Sequence, residues 1–491
     1  MYKPSRRQAL LSLAAVSRLQ AASDICFLNA TEIARLIRTK KLSAREVLSA
    51  HLKQIERLNP RLNAIVTLVA DQAVASAKAA DEAQAKGAAL GPLHGLPIAH
   101  KDLVNTKGIR TTFGSLAFKD NVPDHDDLLV ERIHAAGAIL IGKTNTPEFG
   151  AGSQTFNQVF GATLNPYDTT RTCGGSSGGA AVALASGMLP IADGSDLGGS
   201  LRNPAAFCNV VGFRPSPGRV PNPGAAIAWS PLSTSGPMAR NVADLALLFS
   251  AIAGPDSGSP LSLPEPGAMF RQDLRRNFKG VRVAWFKDLG GLPFDSRVSA
   301  VVNAQRKVFE DLGCIVESAE PDFSGADFAF KTLRAWGQAT QHGERIRTHR
   351  NLYKDTLLLE TEQGLKLSAT DIAKAESLHS QVWRRFQAFL TRYEYFILPT
   401  TQVLPFDVKT PYPGEINGVR MESYIDWMKA CWYITVAGSP AISVPAGFSP
   451  EGLPVGMQIV GRYNRDWSVL QLAAAFENAT HFGNRLPAIV A

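Results

Sequence analysis

The stretch Gly174-Gly175-Ser176-Ser177-Gly178-Gly179, followed by Gly198-Gly199-Ser200-Leu201-Arg202, decides how this chain reads. Glycine runs let a backbone approach a ligand closely and aim its N–H groups at one point. A serine among such groups can attack a carbonyl while the amides hold the resulting oxyanion. Lys101 lies upstream, in Pro97-Ile98-Ala99-His100-Lys101-Asp102. A lysine base in place of histidine is a variant of the serine-hydrolase theme. The three elements together predict an acyl-transfer enzyme.

Around them the pattern alternates strands and helices, which argues for α/β architecture with a covered sheet. Thr31 is expected to cap a helix through Arg38. Ser43-Ala44-Arg45-Glu46 fits a capping box opening a helix to Leu58, ahead of Asn59-Pro60. Residues 70–86 read as a third helix. The run Ala138-Ile139-Leu140-Ile141 reads as a buried strand. The alanine-rich segment 180–189 predicts a buried helix, which puts Ser176 near the positive end of its dipole. Further helices are expected at 240–253, 296–312, 370–392 and 466–478. Strands are expected at 281–285, 396–399, 441–445 and 458–461.

With 491 residues, 45% hydrophobic and 19% charged, the chain can bury a large core and support a dry site. The formal charge is +8, and four of those charges (Lys3, Arg6, Arg7, Arg18) lie in residues 1–22, which hold no acid. Elsewhere bases and acids intermix, so no clustered stripe points to nucleic acid. The five cysteines are dispersed, with no Cys-x-x-Cys pair, which argues against a zinc site or a disulfide framework. Ser5-Arg6-Arg7 before a short apolar segment reads as a twin-arginine export signal over residues 1–22, placing an enzyme of residues 23–491 in the periplasm or outside the cell. The other reading is a frayed tail on a cytoplasmic protein. No run is long enough to span a bilayer.

Two other motifs need weighing. Gly137-Ala138-Ile139-Leu140-Ile141-Gly142-Lys143-Thr144 has Walker A spacing. That motif needs a phosphate-wrapping loop where this chain has Ala-Ile-Leu-Ile, and Pro147 interrupts the helix that should follow. Gly174-Gly175-Ser176-Ser177-Gly178 fits a Gly-x-Ser-x-Gly nucleophile elbow, and His342, His349, His379 and His481 follow it. The elbow reading leaves the second glycine cluster and Lys101 unexplained.

The sequence resembles the amidase signature family. The resemblance runs through Gly91-Pro92-Leu93-His94-Gly95-Leu96-Pro97-Ile98, Lys101-Asp102, Gly142-Lys143-Thr144-Asn145, Pro147-Glu148-Phe149-Gly150 and both serine clusters. It continues through Val211-Gly212-Phe213-Arg214-Pro215, Gly438-Ser439-Pro440-Ala441 and Pro454-Val455-Gly456-Met457-Gln458, covering roughly residues 28–480. It implies one amidase-signature domain: a twisted mixed β-sheet covered by helices on both faces. It also implies hydrolysis of a non-peptide carboxylic amide to acid plus amine or ammonia, without metal or organic cofactor. By the same resemblance Ser200 is the nucleophile, Ser176 the bridging serine held across a cis peptide bond, and Lys101 the base. The backbone N–H groups of Leu197, Gly198, Gly199 and Ser200 make the oxyanion hole. Gly150, Ala151, Gly152 and Ser153 fall where relatives line the acyl pocket.

The remaining assignments follow from chemistry. A lysine is almost wholly protonated near neutrality, so Lys101 needs burial to act as a base, and Leu96-Pro97-Ile98 and Leu103-Val104 offer apolar walls. Asp196 and Arg202 read as an ion pair supporting the nucleophile loop, and Asp102 as an anchor of the lysine turn. Ser177 either supports the relay or caps the following helix. His100 stands where the family commonly has an aliphatic residue; it either tunes the lysine or, as is expected, faces outward. Asn203 replaces a residue often apolar in the family. An alternative function is the A subunit of a tRNA-dependent amidotransferase, although Leu232-Ser233-Thr234-Ser235-Gly236-Pro237 looks more like general amidases. An inactive ligand-binding relative is a third reading, opposed by retention of Lys101, Ser176 and Ser200. The expected partner is a small-molecule amide; its identity and any homo-oligomer are left open.

Overall fold

The computed structural model describes residues 25–491. The expected export signal over residues 1–22 lies outside them. Eight strands form a mixed sheet in the order Ile315–Ser318, Arg282–Trp285, Tyr395–Pro399, Pro454–Gly461, Ala441–Phe448, Val211–Arg214, Thr234–Ala239, Ile191–Asp196. The first three run parallel; every later neighbour is antiparallel. The two central strands are hydrophobic with little alternation, as expected where both faces are covered. Gly456 and Gly461 show the two covers. They lie five residues apart in one strand and so point to opposite faces. A Cβ at Gly456 would stand 2.5 Å from the Ala206 Cβ in helix Arg202–Phe207, and one at Gly461 would stand 2.4 Å from Val469 in helix Asp466–Thr480. Only glycine allows helices so close on either side.

A second sheet of three strands, ordered Ile65–Leu68, Ile139–Thr144, Pro97–Lys101, packs beside the edge strand Ile191–Asp196. The Walker-like segment is therefore a strand, buried throughout, as its apolar run dictates. Helix Gly178–Ala185 fills the space between the layers; apolar on all sides, it is wholly buried.

Several element ends differ from expectation for local reasons. The Ser43–Glu46 capping box is present, but its helix continues to Leu62. Pro60 falls in the last turn, where the carbonyl it leaves unpaired can reach water, and left-handed Asn63 ends the helix instead. Helix Ala30–Arg38 is capped from far away. The Asp244 carboxylate accepts from the backbone N–H groups of Ala30 at 2.7 Å and Thr31 at 2.9 Å. The segment expected as one helix over 296–312 is two, Ser296–Ala304 and Arg306–Asp311, meeting at Gln305. Helices Ala326–His342 and Asp355–Leu365 carry no equally clear signal in the sequence. Among the described residues, no helix is long and apolar enough to cross a membrane, and all five cysteines are buried and free.

Candidate active site

Strand Pro97–Lys101 ends on Lys101, whose side chain enters the seam between the two sheets and is fully buried. Burial pushes its amine down to about 7, against the pull of the Asp196 and Asp193 charges. The Nζ lies within hydrogen-bond distance of Ser176 Oγ at 2.7 Å, Ser177 Oγ at 2.9 Å and Ser195 Oγ at 3.2 Å. Three hydroxyls supply no counter-charge for an ammonium, whereas a neutral amine can donate to two of them and accept from the third. Behind the lysine, Asp102 accepts from the backbone N–H and the hydroxyl of Thr112, tying the turn after the strand to the next loop.

The first glycine–serine cluster meets this amine directly, through Ser176 and Ser177, and the second is joined to the first. The Gly175–Ser176 peptide is cis. The Ser177 N–H donates to the Ser200 carbonyl at 3.1 Å, which joins one cluster to the other. Ser177 begins helix Gly178–Ala185 but its side chain caps nothing. Its hydroxyl instead accepts from Lys101 and from the Ser195 N–H at 3.4 Å.

The loop carrying Ser200 is shaped by Asp196. Its carboxylate accepts from Gly199 N at 2.9 Å and Leu201 N at 3.2 Å, and takes Arg202 through both Nε at 3.0 Å and Nη2 at 2.9 Å. Burial favours the acid form of Asp196, but Arg202 and then Arg214 overcome it and hold the carboxyl well below its ordinary range. Asp196 and Arg202 are fully buried and line no cavity, so they are a scaffold. Of the four N–H groups expected to hold an oxyanion, that of Gly199 donates to Asp196, and among the described residues those of Leu197, Gly198 and Ser200 have no protein acceptor. Gly199 itself has φ 115° and would place a Cβ 2.6 Å from that of Cys431, so only glycine fits.

Ser176, Ser195, Leu197 and Ser200 face one cavity of about 260 Å³. Both serines expected in the relay are nearly buried, Ser176 at 2% and Ser200 at 9% exposure. Among the described residues no hydrogen bond joins Ser176 Oγ to Ser200 Oγ; both residues line the cavity. Gly150 and Ala151 line it as expected. Gly152 and Ser153 do not: Gly152 packs on Pro147, and the Ser153 hydroxyl accepts from Trp427 Nε1 at 3.1 Å. Asn203 is also off the cavity, with its Oδ1 accepting from Cys431 Sγ at 3.1 Å. Most of the rest of the wall comes from segments 217–233 and 333–341, with Leu103, Phe149, Ser259 and Leu261 completing it.

Two features escaped the sequence. Ser195 supplies the third hydroxyl to Lys101; its place one residue before Asp196 gave no hint of direction. His100 does not face outward. It is fully buried, with Nδ1 2.5 Å from Asp193 Oδ2. The partner lies in strand Ile191–Asp196, Ile-Ala-Asp-Gly-Ser-Asp, whose polar residues carried no strand signal.

This geometry, a buried lysine bonded to the serines of one glycine turn with a second glycine–serine turn tied beside it, points to a class of amide hydrolase, and sequence comparison agrees. The amidase family model matches residues 46–470. The chain is 34% identical over 468 residues to an acylamidase of Rhodococcus erythropolis, covering 95% of this chain and 98% of that protein. It is likewise 34% identical over 489 residues to the A subunit of glutamyl-tRNA(Gln) amidotransferase from Moorella thermoacetica, covering 94% and 99%. The crystal structure of a bacterial aryl acylamidase of the amidase signature family matches with a TM-score of 0.88 at 30% identity, covering 94% of this chain and 98% of that one. The chain belongs to the amidase signature family and is a hydrolase acting on amides.

Proposed function

We propose that the protein hydrolyses a small neutral carboxylic amide through an acyl-Ser200 intermediate, with Lys101 as base and Ser176 as proton relay. One observation carries the reading: Lys101 Nζ lies 2.7 Å from Ser176 Oγ, in the floor of the cavity that also holds Ser200. With its amine near 7, about half of Lys101 is neutral at pH 7. At the ordinary value near ~10.4 the neutral fraction is about one in 2,500. Burial thus raises the supply of base roughly a thousandfold.

Neutral Lys101 takes the Ser176 proton while Ser176 takes that of Ser200. The Ser200 Oγ–carbonyl bond forms, and the oxyanion is met by the N–H groups of Leu197, Gly198 and Ser200. The proton returns along the same path to the amide nitrogen, the C–N bond breaks and the amine leaves. Water then attacks the ester, giving up its proton to the relay, and Ser200 is released with the acid. Catalytic hydrogen bonds tighten once substrate is bound, which closes the gap between Ser176 and Ser200.

The cavity wall supports a neutral substrate. Arg334 is the only charged side chain among its described lining residues, and Glu360 already holds it at 2.9 Å and 3.2 Å. Free glutamine would bring an ammonium group, for which the lining offers no acid, and a carboxylate, for which the one cation is already paired with Glu360. The kinship with amidotransferase A subunits supports that role as the second reading. Initial rates on aryl amides, aliphatic amides and glutamine separate the two. Turnover of neutral amides well above glutamine is expected; preference for glutamine would move the assignment to the amidotransferase role.

A further inference from the structure

Beneath the relay lies a buried pair that the mechanism does not use. Strand Pro97–Lys101 pairs with Ile139–Thr144 along one edge and turns its other edge to Ile191–Asp196 of the large sheet. The Lys101 N–H on that free edge is buried and must find an acceptor. Asp193 provides it: Oδ1 accepts from Lys101 N at 3.0 Å, while Oδ2 sits 2.5 Å from His100 Nδ1. His100, Lys101 and Asp193 are all fully buried. A carboxylate only accepts, so Nδ1 carries the proton in this contact.

We propose that His100 and Asp193 form a positioning unit for Lys101, clamping its backbone while placing one fixed negative charge behind its amine. The inference rests on the reading of Lys101 as the base, and adds the residues that set how basic it is. The surroundings isolate the effect. Lys101 is faced by the carboxylates of Asp193 and Asp196 from the large sheet and by three serine hydroxyls. Asp196 is committed to Arg202 and Arg214. His100 is faced by Asp193 and by His134, whose ring centroid lies 5.7 Å away and which has Asp126 at 3.8 Å. Lys143, the cross-strand neighbour of His100, also faces Asp102 and Asp193 and is tethered by Thr106 Oγ1 at 2.8 Å. Burial acts against the Asp193 carboxylate, but His100 and the Lys101 N–H outweigh it and keep the group ionised. Its charge therefore persists across the range in which Lys101 titrates, and it favours the protonated amine.

Removing that charge must make Lys101 less basic. Asp193→Asn keeps an oxygen for the Lys101 N–H and loses the charge. Asp193→Thr keeps a hydroxyl acceptor for the same N–H in a similar volume and also loses the charge. The measurement is the titration of the Lys101 13Cε resonance in lysine-labelled full-length protein, assigned by its loss in Lys101→Met. The midpoint is expected to fall by about half a pH unit or more in either folded variant. The acid limb of kcat/KM should move with it. An unchanged or raised midpoint in the folded variants overturns the proposal. A parent kcat/KM that stays flat through the titration of Lys101 sinks instead the reading of Lys101 as base, while the resonance shift still decides the role of the pair.

Discussion

Lys101 and Lys143 stand on adjacent parallel strands, one residue out of register, with Lys143 opposite His100. Both are fully buried, and burial depresses both amines, to about 7 and about 8 respectively. What separates them is the chemistry they touch. Lys143 Nζ donates to the Val104 carbonyl at 2.5 Å and to Thr106 Oγ1 at 2.8 Å. A carbonyl has no proton to exchange, so that contact holds a turn. Lys101 touches three hydroxyls, each of which accepts a proton on one side and passes one on the other. Burial alone therefore makes an amine easier to deprotonate, and does not make it a base. The relay needs a hydroxyl that also faces a cavity, and only Ser176 and Ser195, beside Lys101, meet that condition.

The comparison breaks most visibly at Ser200. Ser200→Ala is expected to cut kcat/KM by about 10⁴-fold or more while leaving the melting curve in place. A fluorophosphonate probe should label Ser200 in the parent, and an adduct mapped to Ser176 would restore the elbow reading. Next comes Lys101→Met, with an expected loss of about 10²–10⁴-fold, the range of a single general base. In the parent, raising pH deprotonates Lys101. So kcat/KM should climb with pH up to about 7 and level off above it, and the profile of Lys101→Met should lose that limb.

Lys143→Met sharpens the contrast from the other side. It leaves the Val104 carbonyl unpartnered and should lower unfolding free energy by about 1–3 kcal/mol in denaturant titrations. The kcat/KM of the folded fraction should stay close to that of the parent; a collapse matching Lys101→Met would erase the distinction. The smallest effect is expected from Gly150→Ala. Gly150 has φ 69°, and a Cβ there would meet Leu103 Cδ1 at 2.8 Å and Ser176 Oγ at 3.5 Å. The left-handed backbone costs about 1–2 kcal/mol for alanine. Steady-state kinetics should show KM rising a few-fold with kcat less affected.

Local signals made much of the fold legible. The capping box at Ser43 and Glu46, the apolar run ending in Lys143 and the alanine-rich segment after Ser177 each declare their element from neighbouring residues. Where an element is completed from elsewhere, the sequence is silent. Thr31 looked like a cap, yet Asp244, more than two hundred residues away, does the capping. Segments 217–233 and 333–341, which wall the cavity, carry no chemical motif, because a wall is defined by the space opposite it.

The sequence by itself singled out the proposed reacting groups: a lysine, two serines and the glycine turns that carry them, since those residue types and spacings have few other uses. The tertiary structure decided what each group can do. It buried Lys101 until its amine could lose a proton, turned Ser177 toward the lysine and away from its helix, and took the Gly199 N–H for Asp196. It also brought His100 inside against Asp193. Charge and direction depend on dielectric surroundings and on partners from distant strands, and neither is written in the order of residues along the chain.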